Sequence, residues 1–195
     1  MHDIEPYFRW RDKYESSKDS KSPFAGRQYS EFKYSQKIYN YYIHPQWDGF
    51  GSPTLYMKVI FVDYEKGYAV FEFIGEWNDA VTNDIMFLKR DVVDEMTRHG
   101  IYKYILLCDN VLNFHGEDDD YYEEWWDDVK EDGGWIVMFN LLEHVEDEVK
   151  DTRLQQYINF GGVFNGVNWR ALKPKLLFEL TEKMLDEGLR YLGEG

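Results

Sequence analysis

The 195-residue sequence predicts an α/β domain with a mixed, mostly parallel central sheet, an N-terminal antiparallel hairpin and covering helices. Three observations predict this class: two strand-like runs around a glycine turn, later apolar runs that suit strands buried on both faces, and amphipathic helical patterns between those runs. Strands that alternate with helices imply parallel pairing through right-handed crossovers. With 44% hydrophobic and 18% aromatic residues, the chain can fill one core.

Residues 1–55 differ in composition from the rest of the chain. The stretch "ESSKDSKSPF" (15–24) is polar and has no hydrophobic period, and tyrosine recurs between residues 29 and 42. We therefore expect residues 1–55 to form a polar, tyrosine-rich N-terminal arm that is partly disordered. Residues 56–195 are expected to form a single α/β domain with an extra C-terminal helix.

The first elements of this domain are a hairpin and a helix. "LYMKVIFVDYEKGYAVFEFIGEW" (55–77) contains two strand-like runs joined at residues 65–67, where Gly67 suits the positive φ of a turn. Asn78 or Asp79 can cap the helix that follows, and Gly100 can end it. Its apolar stripe is predicted to comprise Val81, Ile85, Leu88, Val92 and Met96.

Two buried strands, "IYKYILLCDNVL" (101–112) and "WIVMFNLL" (135–142), flank a segment made almost entirely of acidic and aromatic residues. Within that segment, helical spacing places five side chains on one stripe: Tyr121, Tyr122, Trp125, Trp126 and Val129. Shorter helical patterns follow at residues 146–158 and, after Pro174, at the C-terminal end of the sequence. Cys108 is expected to be a buried, structural thiol.

The acidity of the chain is concentrated in one quarter of the sequence. The formal net charge is −15, and residues 104–149 contain 15 Asp and Glu against one basic residue, Lys130. Such a field repels nucleic-acid phosphate and anionic lipid and attracts basic proteins. We therefore expect a partner protein with a basic surface and no binding of nucleic acid. Because the sequence has no apolar run long enough to span a bilayer and a single cysteine, we also expect a soluble, cytoplasmic protein without membrane insertion.

Several local motifs resemble the STAS domain, the fold of anti-sigma-factor antagonists, over roughly residues 56–165. In that family a strand ends in glycine and an acidic or polar pair before a helix, as in "AVFEFIGEWNDAVTNDIMFL", with Gly75, Glu76 and Asp79. The next strand ends in an aspartate, as Asp109 does in "YKYILLCDNVLNFHG". The resemblance implies a non-enzymatic, regulatory protein-interaction domain without a cofactor.

One feature of the family is missing. Phosphoregulated members have a serine or threonine at the start of the helix after the aspartate strand, whereas this chain has "NFHGEDDDYY" (113–122). The phosphorylation switch is therefore not carried over. We predict instead an acidic partner-binding surface that comprises Asp109, Asn110, His115, Asp118, Asp119, Asp120, Glu123, Glu124, Asp127 and Asp128.

Alternatives remain open at this stage. The composition equally suits a small acidic inhibitor, such as an immunity protein that covers the active site of a basic toxin, and the aromatic excess would suit an apolar small molecule held between helices and sheet. His115, Glu117, Asp118 and Asp120 lie close in sequence but do not follow a calcium or zinc pattern. Glu72, Glu76 and Asp109 are carboxylates near strand ends, yet no nucleophile or phosphate-loop pattern accompanies them. No catalytic residues are assigned.

Overall fold

The computed structural model describes residues 4–193. Its strands are β1 (Lys37–Ile38), β2 (Tyr41–Tyr42), β3 (Leu55–Asp63), β4 (Tyr68–Asn78), β5 (Lys103–His115) and β6 (Trp135–Phe139). Its α-helices are α1 (Asp79–Thr82), α2 (Asp84–Phe87), α3 (Asp94–Arg98), α4 (Asp120–Lys130), α5 (Glu143–Asp151) and α6 (Pro174–Gly193). None of the helices within these residues has the length and apolar character needed to cross a bilayer.

The central sheet has four strands in the order β3-β4-β5-β6. β3 and β4 pair antiparallel, and β4–β5 and β5–β6 pair parallel. Gly67 closes the hairpin with a φ of +67°, as its position in the sequence predicts. The predicted fold class, a mostly parallel sheet with an N-terminal antiparallel hairpin and covering helices, is confirmed.

The helical segment between β4 and β5 is less regular than the sequence predicts. Asn83, with a φ of +52°, separates α1 from α2, and a π-helical turn (Leu88–Val93) joins α2 to α3. The Asn78 side chain caps α1 by accepting the Val81 N–H at 3.0 Å, as predicted. The predicted stripe is buried except at Val81, whose side chain is 81% exposed because α1 ends before the chain turns back onto the sheet.

Helices and the N-terminal region cover the two faces of the sheet. One face packs against the segment from α1 to α3 and against α4 and α5, with Val92, Trp125 and Val145 fully buried. The opposite face packs against α6 and two N-terminal and loop tryptophans, Trp10 and Trp169. α4 therefore lies on one side of the sheet and α6 on the other.

Side chains from the first 55 residues contribute to these cores. Trp10, Phe24 and Trp47 are 3%, 2% and 0% exposed, and the small β1–β2 hairpin lies over Ile74 of β4. The domain boundary at residue 55 and the partial disorder of this region stay predictions. Cys108 is buried as expected, and burial raises the pKa of its thiol.

Candidate functional site

The acidic and aromatic segment forms helix α4, and most of its aromatic surface belongs to the core. Tyr122, Trp125 and Val129 are at most 1% exposed, and the Trp125 ring packs edge-on against Tyr104 of β5 with 5.0 Å between centroids. Tyr121 and Trp126 are half-buried at the margins of the helix. The apolar stripe predicted from the sequence is thus confirmed, with its two outer members on the rim.

A buried hydrogen-bond network fixes α4 to the end of β4. The Tyr122 hydroxyl donates to Asp79 Oδ2 at 2.6 Å, and Asp79 Oδ1 accepts from the Trp77 indole at 3.1 Å and from the Ile85 N–H at 2.9 Å. Burial raises the pKa of Asp79 to about 7, and these hydrogen bonds oppose the rise. This network sets the position of the helix against the sheet.

Two carboxylates of α4 have cationic partners within the chain. The buried ammonium of Lys89 contacts Asp94 and lies 2.8 Å from Asp128 and 3.4 Å from Glu124. The Arg90 guanidinium binds both oxygens of Glu124, at 2.5 and 2.8 Å. Glu124 and Asp128, which we predicted to contact a partner, therefore attach α4 to the helical segment that precedes β5.

The ionic cluster has the spacing of a cation site, and a lysine fills it. Oxygens of Asp94, Glu124 and Asp128 lie within 4.8 Å of one another. Burial disfavours the charged form of Lys89, but its hydrogen bonds to Asp128 and Asp94 outweigh that effect and raise its pKa. The four residues close in sequence that we considered as metal ligands, His115, Glu117, Asp118 and Asp120, are not among them.

Five other predicted acids of the segment form what we call the α4 acidic surface: Asp118, Asp119, Asp120, Glu123 and Asp127. Spacings of three and four residues bring the helical members to one side of α4. All except the partly buried Asp119 are exposed. Among the described residues, Asp127 pairs with the neighbouring Lys130 at 2.5 Å, whereas the other four have no ion-pair partner. This surface carries uncompensated negative charge.

Asp109 lies elsewhere, on the sheet face opposite α4. Its carboxylate accepts hydrogen bonds from the Trp169 indole at 2.9 Å, the Arg170 guanidinium at 2.9 Å and the Asn140 amide at 3.1 Å. Arg170 also binds Glu72 at 3.0 Å. Asp109 thus fixes the loop before α6 to the sheet, and the structure does not place it beside the α4 acidic surface.

The other strand-end carboxylates are also engaged in internal contacts. Glu72 is 1% exposed and accepts the Tyr7 backbone N–H at 2.7 Å, and burial raises its pKa to about 7 despite that bond and Arg170. Glu76 accepts from the Asn113 amide at 2.6 Å and from the Tyr39 hydroxyl. These contacts explain all three acids as parts of the fold.

The last two predicted residues lie apart from each other. Asn110 lines an apolar pocket of about 240 Å³ beneath the β1–β2 hairpin, together with Ile74, Tyr41 and Leu112. His115 is exposed at the end of β5, shortly before the acidic surface. Of the ten predicted residues, the structure therefore groups the five of the α4 acidic surface, with His115 near them in sequence.

Sequence reasoning missed the cations that hold α4. Lys89 follows Ile85 by four residues, so it occupies the buried stripe of its helix, where a charged side chain needs a partner. The place of Lys89 on a buried stripe is the sequence feature that could have predicted a buried ion pair. The identity of its partners, 35 and 39 residues further along the chain, was not available from the local pattern.

Two solved structures can be superposed on part of this chain, at low sequence identity. No protein-family model and no curated protein matches the chain. A candidate anti-sigma factor antagonist from Thermotoga maritima is 17% identical, with a TM-score of 0.41 over 59% of this chain and 88% of the other. The Bacillus cell fate determinant SpoIIAA, in its phosphorylated form, is 7% identical, with a TM-score of 0.36 over 55% of this chain and 92% of the other. The Thermotoga maritima protein is described as an anti-sigma factor antagonist, the class of protein whose motifs the sequence resembles.

Proposed function

We propose that this chain is a non-enzymatic regulatory domain that binds a protein with a basic surface through the α4 acidic surface. The observation that carries the proposal is that some acids of the α4 segment have ion-pair partners in the fold and others do not. Glu124 and Asp128 have cationic partners within the fold, whereas Asp118, Asp120 and Glu123 are exposed and have none in the part of the chain that the structure describes. The acids that attach α4 to the rest of the protein are paired with cations, and the other acids form a compact group of exposed negative charges.

The uncompensated charges have a cost that a basic partner would remove. Asp119 and Glu123 are spaced four residues apart, and like charges at this spacing destabilise a helix by about 0.2–0.5 kcal/mol per pair. Asp127 follows at the same spacing, but Lys130 offsets its charge. A basic surface would replace this repulsion with attraction and would also steer the encounter. Attraction of this kind weakens with salt, because the Debye length falls to about 8 Å at physiological ionic strength.

Half-buried aromatic side chains next to the acids favour a protein as the partner. Tyr121 and Trp126 flank the buried stripe of α4, and the Arg90 guanidinium lies 5.5 Å from the centre of the Tyr121 ring. Tyrosine and tryptophan are enriched in protein interfaces, where their rings supply rigid contact area. A simple cation would use the carboxylates and leave these rings without a role.

The test is charge reversal on the surface, compared with an equal reversal of exposed acids that lie outside α4. The variant Asp119→Lys, Glu123→Lys, Asp127→Lys changes the net charge by six units, as does the control Asp12→Lys, Glu65→Lys, Glu179→Lys, which alters exposed acids. Both proteins serve as bait for affinity capture from the source cell. Circular dichroism and the thermal midpoint show whether each variant is folded.

We expect the wild type and the control to capture the same partner in low salt and to release it in high salt. The α4 variant should stay folded and capture none of that partner. Equal capture by both variants would contradict the proposal, as would capture that is insensitive to salt. A captured toxin whose activity is abolished by binding would define the regulator as an inhibitor, the alternative drawn from the sequence.

A further inference from the structure

A second charged site lies beside β3, at the edge of the sheet. A cavity of about 440 Å³ opens between the N-terminal residues and β3. Three cationic side chains line it, Arg11, Arg27 and Lys58, together with the Ser16 hydroxyl and the ring of Tyr29. Its volume is within the range of about 300–1,000 Å³ that is usual for small-molecule sites.

Three cationic side chains lie around one cavity in a strongly acidic protein. Residues 1–55 contain eight Lys and Arg and seven Asp and Glu, whereas residues 56–195 contain 14 and 30. Because the chain as a whole is strongly acidic, its composition does not predict three cations around one cavity. A local concentration of positive charge in a concave site attracts anions.

One buried aspartate is shared between two of the cations. Lys58 is 7% exposed, and its ammonium lies 2.9 Å from Asp48 and 3.7 Å from the centre of the Tyr29 ring. Arg27 contacts the same carboxylate at 3.2 Å. Burial lowers the pKa of Lys58, Asp48 partly offsets that effect, and Arg11 and Arg27 add to it. Asp48 therefore carries one negative charge against the two cations that it contacts, while Arg11 has its own partner in Glu5.

Ser16 provides an independent indication of a ligand. The residue is 1% exposed, and its Oγ completes no hydrogen bond of good geometry among the residues that the structure describes, although it lies close enough to the Tyr29 hydroxyl to act on the pKa of that group. Buried hydroxyls are nearly always paired, because an unpaired one loses its hydration without compensation. An oxygen atom of a ligand in the cavity would supply the missing partner.

We propose that this cavity binds a small phosphomonoester. Guanidinium, ammonium and hydroxyl donors are the groups that bind phosphate oxygens, and the rings of Tyr7, Tyr14 and Tyr29 line the space left for the organic part. Two acids also reach the cavity: Glu15, which pairs with Lys18 at 2.7 Å, and Glu31, which is exposed. Arg11 is held by Glu5 at 3.0 Å.

Calorimetric titration of the full chain with phenyl phosphate tests the proposal, with benzoate as the carboxylate counterpart. Arg11→Gln removes a cation that lines the cavity, and Arg9→Gln is the matched control because Arg9 is exposed and does not line it. We expect Arg11→Gln to weaken phenyl phosphate binding about tenfold or more, a difference of about 1.4 kcal/mol. Arg9→Gln should bind like the wild type.

Ser16→Ala supplies a second test with opposite signs for binding and stability. Removal of the unpaired hydroxyl should leave the thermal midpoint of the free protein unchanged or higher, while phenyl phosphate binds more weakly. Absence of binding heat at millimolar phenyl phosphate would overturn the proposal. So would equal losses in Arg9→Gln and Arg11→Gln, and benzoate binding as tight as that of phenyl phosphate would overturn the assignment to phosphate.

Discussion

Replacement of Lys89 by methionine tests whether the ionic cluster holds α4 in place. Methionine keeps a long apolar side chain in the buried site and deletes the ammonium group. Asp94, Glu124 and Asp128 would then face one another without the cation between them. Arg90 would still bind Glu124 and reach Asp94 at 3.3 Å.

The expected loss follows from the burial of the groups involved. Removal of one partner from a fully buried ion pair costs about 3–5 kcal/mol, because the other charge stays buried and unpaired. The Lys89 side chain is 1% exposed, but those of Asp94, Glu124 and Asp128 are 18%, 38% and 43% exposed, so water can reach the acids. We therefore expect the lower end, about 3 kcal/mol, which lowers the thermal midpoint by about 6–12 °C in a chain of this length.

Urea unfolding followed by tryptophan fluorescence measures the change in the free energy of unfolding. Lys130→Met is the control, because it removes an exposed ammonium that pairs with Asp127 of the same helix, and we expect no measurable change. Combining Lys89→Met with Asp94→Asn and Asp128→Asn should recover part of the loss. A Lys89→Met protein as stable as the Lys130→Met control would refute the reasoning.

Three further changes test other parts of the structure. Burial raises the pKa of Asp79 from 3.8 to about 7, so its contribution to stability is present at low pH and is lost as the pH rises through about 7. Asp79→Asn should therefore flatten the fall in thermal midpoint between about pH 4 and pH 7. An unchanged pH profile would argue against this role of Asp79. Gly75→Ala should lower the urea midpoint much more than Gly133→Ala. A Cβ at Gly75 would lie 2.0 Å from the Thr54 carbonyl oxygen, whereas a Cβ at Gly133 would have no described atom within 4 Å. Equal midpoints would show that the contact at Gly75 relaxes. Asp109→Asn should reduce the free energy of unfolding by about 1–3 kcal/mol and leave partner capture unchanged, since its hydrogen bonds lie on the other sheet face; loss of capture in a folded protein would return it to the binding surface.

The periodic parts of the sequence predicted their elements well. The β3–β4 hairpin, the buried strands β5 and β6 and the buried stripe of α4 all depend on local spacing of apolar residues, which the sequence displays directly. The helix between β4 and β5 was predicted as one piece. Its break at Asn83, with positive φ, places Val81 in solvent, and periodicity alone does not indicate such a turn.

The sequence indicates the acidic helix, but it does not show which carboxylates have cationic partners in the fold. Local charge counting found the acidic helix, but it treated every carboxylate on the helix as available. Glu124 and Asp128 have partners in Lys89 and Arg90, and Asp109 has one in Arg170, so the surface that we propose does not include them. These pairings join residues 34 to 61 positions apart, so they depend on the tertiary fold and leave no local pattern.

The most direct test of the central claim is carboxyl footprinting of the complex with the captured partner. Carbodiimide labels exposed Asp and Glu side chains, and mass spectrometry reports the labelling of each with and without the partner. We predict that bound partner lowers labelling of Asp118, Asp120, Glu123 and Asp127, while Asp12, Glu65 and Glu179 label as in the free protein. Unchanged labelling of the α4 acidic surface, or protection confined to the opposite side of the sheet, would contradict the account.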